Sequence, residues 1–126
     1  MMTAELTPDG LADQITSAGR TAAGDDVRSI TYFTRDDYEQ LYLRSDLHQD
    51  ADLGAFVKHE TLGFGAAEDY EGSELGDYHF TVRRFDNGFL TRVIRGDHGV
   101  FVTLDSLTIN RSEEIGATLQ EILDRE

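Results

Sequence analysis

The 126-residue chain has no cysteine, no tryptophan, one proline and one lysine, Lys58. Without cysteine there is no disulfide scaffold, no thiolate metal site and no sulfur nucleophile. No apolar run approaches the length of a bilayer span, and the start MMTAELTPDG lacks the cationic and apolar regions of a signal peptide. The expectation is therefore a cytoplasmic protein with no membrane partner. Positive charge is scarce as well. Eleven Lys+Arg face 25 Asp+Glu, a formal net charge of −14, with a pI near 4.4. A nucleic-acid binder needs clustered Lys and Arg to neutralise phosphates, so that class is excluded. Electrostatic docking on an anionic membrane is excluded on the same ground.

What is present is enough for a core. Apolar residues make up 39%, with seven Phe and five Tyr, which is not the composition of a disordered acidic tail. The length fits one domain, 1–126, that buries roughly two-thirds of its unfolded surface. Acidic excess with arginine in place of lysine resembles the proteins of extreme halophiles. A globule of this mass exposes on the order of 6,700 Å², about one net negative charge per ~480 Å². The mean spacing of about 22 Å exceeds the Debye length of about 10 Å in 0.1 M salt. Diffuse repulsion is thus screened at ordinary ionic strength. A demand for molar salt has to come from local clusters such as Asp25–Asp26, Asp36–Asp37 and Glu68–Asp69–Glu71–Glu74.

Residues 1–6 are expected to fray. Thr7 as N-cap and Pro8 at the first helical position predict a helix over 8–23, with Leu11, Ile15, Ala18 and Ala22 as its apolar stripe and Gly24 ending it. Residues 27–34 are β-branched and aromatic and read as a strand. Residues 38–44 fit either period. The Arg35-Asp36-Asp37 turn between the two favours a hairpin. Leu47, Leu53, Phe56, Val57 and, as a further candidate, Phe64 mark a second helix over about 50–62, capped by Ser45 or Asp46. Residues 63–77, with five carboxylates and no base, read as an acidic mobile loop.

The Asn87-Gly88 dipeptide and the Gly96–Gly99 turn predict three antiparallel strands, about 78–85, 89–95 and 100–104. Asn110 as cap, with Glu113, opens a last helix carrying Ile115, Leu119, Ile122 and Leu123. The predicted fold class is α+β: a five-stranded antiparallel sheet with three helices, in the order α-β-β-α-β-β-β-α. That order, over about residues 8–124, resembles the roadblock/dynein-light-chain and profilin-like architecture. The segments YFTRDDYEQLYLRSDL and GVFVTLDSLT look like an uncharacterised small acidic protein family of halophilic archaea. The first resemblance implies binding to a small GTPase or another scaffold partner. The second supports the salt reading and supplies no activity.

The candidate site is the arginine hairpin. With Asn87-Gly88 as a two-residue turn, Arg83 falls opposite Arg92, and Arg84 and Arg95 lie on the same hairpin. Like charges directly opposed are destabilising unless an anion lies between them. Arg83, Arg84, Arg92 and Arg95 are therefore the candidates for binding an anion or an acidic partner; the alternative is pairing with the chain's own surplus carboxylates. The four histidines form no HExxH motif or i, i+4 pair. His98 reads as an exposed turn residue. The acidic loop lacks the EF-hand alternation, Gly63-Phe64-Gly65 lacks the third glycine of a dinucleotide fingerprint, and there is neither a P-loop nor a G-x-S-x-G elbow. No catalytic residue, metal ligand or cofactor is assigned.

Both faces of the predicted sheet carry apolar residues: Phe80, Val82 and Val93 on one, Phe85, Leu90, Ile94 and Phe101 on the other. Such a sheet needs cover on both sides. Three short helices leave room for a second copy as supplier, so a homodimer is expected. The functional expectation is a noncatalytic interaction or regulatory module. An anion-sensing profilin-like or PAS-like domain is the alternative, and a hydrolytic enzyme comes third.

Overall fold

Five antiparallel strands form one sheet in the order β2-β1-β5-β4-β3 in a computed structural model that describes residues 7–47, 53–105 and 109–125. The elements run α1 (Leu11–Ala23), β1 (Val27–Thr34), β2 (Tyr38–Leu43), α2 (Leu53–Thr61), α3 (Gly63–Asp69), β3 (Thr81–Phe85), β4 (Gly88–Arg95), β5 (His98–Asp105) and α4 (Ile109–Asp124). The expected order holds, with the middle helix broken at Leu62 into α2 and α3.

The central strands are apolar on both sides because both sides are covered. Ile30, Val93, Val100 and Val102 pack with Leu11, Ile15, Ile115 and Leu119 of α1 and α4. Phe33, Leu90, Ile94 and Phe101 pack with Leu53 and Phe64 of α2 and α3. Arg35 lies 4.8 Å from the Phe64 ring centroid and reaches Glu68 at 3.1 Å, which ties α3 to the β1–β2 turn. Residues 63–69, expected as loop, are thereby helical. The apolar partner under Phe64 outweighs the glycines and carboxylates around it.

Other boundaries differ as well, and β5 runs over His98–Asp105 rather than 100–104. The first helix starts at Leu11 behind a left-handed Gly10 (φ 81°), and no side chain caps it. Thr7 is not its cap: its N–H and hydroxyl both donate to Glu39 Oε1 on β2, at 2.9 and 2.6 Å. A long-range carboxylate has taken the place of the local bond. Asn110 lies inside the first turn of α4 rather than before it. Strand β3 begins at Thr81, not 78. Residues 1–6 and 50–52 lie outside the described residues, and with them the expected fraying and the start of the second helix.

The most consequential difference is the register of the β3–β4 hairpin. Phe85 pairs with Gly88, so the connection is Asp86-Asn87 and not Asn87-Gly88. Arg83 therefore faces Leu90, and Arg92 faces Thr81. The opposed arginine pair is corrected to a diagonal one on the same face. Gly88 belongs to the strand because β5 crosses it too closely for any side chain: a Cβ there would overlap the Leu104 carbonyl oxygen.

Candidate functional site

The α2 face of the hairpin holds a buried ionic cluster. Glu60 continues the apolar stripe of α2 and is 2% exposed. Arg83 donates from Nε to Glu60 Oε2 at 2.9 Å, and from Nη2 to Oε1 at 3.4 Å. Arg92, 5% exposed, donates from Nη1 to Oε1 at 2.9 Å. Its Nη2 donates to Tyr78 Oη at 3.2 Å and Thr81 Oγ1 at 2.9 Å. Gly63 presses against the same guanidinium, where a Cβ would overlap Nη1 and Cζ. The anion expected between Arg83 and Arg92 is thus the chain's own Glu60.

The charges of this cluster do not cancel. Two guanidinium groups share one carboxylate, and the Nε of Arg92 is buried with no acceptor. Two guanidinium groups on one carboxylate leave the cluster with one positive charge in excess. It is felt at Arg83, whose side chain is 38% exposed.

The other two candidate arginines stand apart. Arg95 lies on the α4 side, with Nε 2.8 Å from Asp124 Oδ1 in an ion pair too poorly aligned to count as a hydrogen bond. Its Nη1 donates to the Tyr78 carbonyl at 3.0 Å. Arg84 is exposed and has no partner among the described residues. The structure brings Arg83 and Arg92 together, turns Arg95 to the opposite face and leaves Arg84 in solvent.

Glu60, Tyr78 and Thr81 escaped the sequence reading. Glu60 alone carried a signal, since Leu53, Phe56, Val57, Glu60 and Phe64 follow one helical stripe. A carboxylate on such a stripe needs a buried cation. His98 is not an exposed turn residue: it opens β5, half-buried, with Nδ1 2.9 Å from Tyr32 Oη and its ring edge-on to Tyr32.

A second charged group closes the other end of the sheet. Asp105 accepts from Arg28 at 3.0 Å and from Arg44 at 2.5 Å, and Arg44 also reaches Asp46 at 2.6 Å. The hydrogen bond from Arg44 holds the Asp105 carboxyl below its ordinary value, against a desolvation cost and with help from Arg28. Asp46 is lowered by the same guanidinium, whose own pKa is raised in turn. A lowered folded-state pKa stabilises the protein above the unfolded-state value of about 3.9, and that contribution is lost as pH falls through the folded value. Asp105→Asn is therefore expected to melt below the parent at neutral pH, with the gap closing as pH falls below the ordinary carboxylate range. Thermal melts between neutral and acidic pH check this, and a gap independent of pH would refute it.

Beside α2 the described residues leave part of the sheet open. A cleft of about 610 Å³ is lined by Leu43, Leu53, Phe56, Phe85, Leu90 and Phe101 among others. Phe85 is 50% and Leu62 69% exposed. Among the described residues no group of three or more His, Asp or Glu is placed to hold a metal ion, and no helix is long and apolar enough to cross a membrane.

Residues 13–124 match the model of a domain of unknown function, DUF7522. No curated protein matches the chain. Among solved structures, the gliding protein MglB from Thermus thermophilus is similar at a TM-score of 0.60 and 14% identity, covering 99% of this chain and 96% of that one. An MglB described with a tetrameric arrangement gives 0.64 at 12% identity, with 99% and 96% covered. Myxococcus xanthus MglB gives 0.60 at 11% identity, with 97% and 96% covered. At these identities the likeness is one of fold, and it agrees with the roadblock-like element order.

Proposed function

The chain belongs to the DUF7522 family, and from that premise we propose that it is a noncatalytic regulatory module that works by contact with other proteins. The observation that carries this reading is a roadblock-like fold shared end to end with MglB, one relative being described in a tetrameric arrangement. The charged hairpin supports it too. Its buried carboxylate, Glu60, is engaged by two guanidinium groups. The finer reading is an acidic homodimer of a salt-adapted cytoplasm, with a second copy covering the cleft beside α2. The excess of carboxylates over basic residues supports the salt adaptation.

Tagged protein purified from lysate at high salt is expected to bring a stoichiometric protein partner with it. The chain alone is expected to scatter light in molar KCl as a particle twice the 14.1 kDa chain mass. A clean monomer would rule out the dimer. A monomer that also retains no partner would rule out the module.

A further inference from the structure

We propose that the cleft beside α2 is a binding site for a small, neutral, largely apolar molecule that carries a hydroxyl or carbonyl oxygen at one end. The proposal goes beyond the reading above: a second copy laid over the cleft would roof it, and the concave volume beneath would still need a filling. At about 610 Å³ the cleft has the size of a small-molecule site. It is lined by Leu53 and Phe56 of α2, Phe85 of β3, Leu90 of β4 and Phe101 of β5. Protein interiors hold few voids larger than a water molecule, so a roofed cleft of this size calls for an occupant.

The sheet under the cleft carries polar groups whose hydrogen bonds are not spent. Ser29, 9% exposed, shares one hydrogen bond with Thr103 across β1 and β5, hydroxyl to hydroxyl at 2.5 Å. Whichever of the two donates, the other keeps a proton with no acceptor among the described residues. Two residues along β1, and on the same face, Thr31 is fully buried and its hydroxyl has no partner among the described residues. Thr31 pairs with Gln40 on β2 and Phe101 on β5, and both of those line the cleft. The half-buried Gln40 amide makes no side-chain hydrogen bond among the described residues either. Polar groups this deep are normally satisfied, and three left wanting around one cleft point to a polar atom that a ligand supplies.

Charge selects the class of that ligand. Of the charged side chains lining the cleft, Arg28 and Asp46 are held in ion pairs with Asp105 and Arg44. Asp86 lines it too and has no ion pair among the described residues. An anionic head would meet that carboxylate and no unpaired guanidinium, in a chain of net charge −14. A cation would stay with Asp86 in the exposed turn, away from the apolar walls. A neutral body with one oxygen toward Ser29, Thr103 and Gln40 meets both conditions.

Two probes, 2-naphthol and 2-methylnaphthalene, present a hydroxyl and a methyl group on the same aromatic body. Titrated into the full chain and followed by naphthalene fluorescence, 2-naphthol is expected to bind saturably, about fivefold tighter than 2-methylnaphthalene. Amide shifts of an isotope-labelled sample are expected to cluster on the residues that line the cleft. Thr103→Val keeps the shape and removes a hydroxyl, so it is expected to erase the fivefold preference. Gln40→Phe fills the cleft from β2 and is expected to weaken both probes by about tenfold. Thermal melts verify that the variants fold, and Gln40, with no side-chain bond to lose, keeps the test decisive if Thr103→Val does not. Equal affinity for the two probes, shifts scattered over the surface, or unchanged binding to Gln40→Phe would overturn the proposal. So would binding that disappears as the chain self-associates, which would make the second copy the occupant. If neither probe binds while a protein partner still co-purifies, the site is overturned and the module reading survives.

Discussion

Glu60→Ala is expected to cost about 3–5 kcal/mol, the scale of removing one member of a buried ion pair. With the carboxylate gone, Arg92 at 5% exposure and the neighbouring Arg83 face each other with Tyr78 and Thr81 as their neutral company. Domains of this size hold about 5–15 kcal/mol in total, so the loss is a large fraction of the whole. Urea denaturation reads it as a lower midpoint at unchanged slope. The double variant Glu60→Leu/Arg92→Met supplies the control. It removes both charges of the deepest pair, and apolar replacements of buried pairs are often neutral or stabilising. It is expected to be more stable than Glu60→Ala. A Glu60→Ala midpoint close to that of the parent would mean that water solvates the two guanidinium groups, and the cluster would lose its claim to be buried.

The ionic cluster also shows where sequence reading stops. Helix α4 and strand β1 were legible because their signals are local: one stripe of Ile115, Leu119, Ile122 and Leu123, and one run of β-branched and aromatic residues at 27–34. The β1–β2 hairpin rested on the Arg35-Asp36-Asp37 turn alone, since residues 38–44 fit either period. The partnership of residue 60 with residues 83 and 92 has no local signature. It exists because the last turn of α2 brings Glu60 to β3 and β4, and one more glutamate among 25 acidic residues does not announce its neighbour. The arginines were found because they break the composition. Their carboxylate was missed because it follows it.

The hairpin register failed for a related reason. Asn-Gly between two β-rich runs favours a turn through the positive φ that glycine accepts. Here Gly88 serves a different need, close passage of a neighbouring backbone, and the turn moves one residue earlier. A two-residue change in pairing then separates Arg83 from Arg92 along the strands while leaving both on the α2 face. Both arginines still reach one carboxylate, Glu60, despite the wrong register, because strand alternation repeats every two residues.

Gly88→Ala puts that explanation to its strongest test. The added Cβ would overlap the Leu104 carbonyl oxygen, an atom of the backbone that no rotamer change can move away. Strand β5 cannot retreat, because it is hydrogen-bonded to β1 on one side and β4 on the other, and Leu104 itself pairs with Phe89 and Val27. The alternative is for β4 to shift, which would pull Phe89 and Leu90 from the two halves of the core. Overpacking of this kind costs about 3 kcal/mol when the backbone must yield. Gly65→Ala is the matched control. It sits inside α3 with nothing within 4 Å of the new Cβ, so the substitution is expected to raise stability by about 0.5–1 kcal/mol through helix propensity. Thermal melts of the two variants should therefore move in opposite directions. If Gly88→Ala were as mild as Gly65→Ala, β5 would not run where its pairing with β4 places it, and the turn at Asp86-Asn87 would have to be abandoned with it.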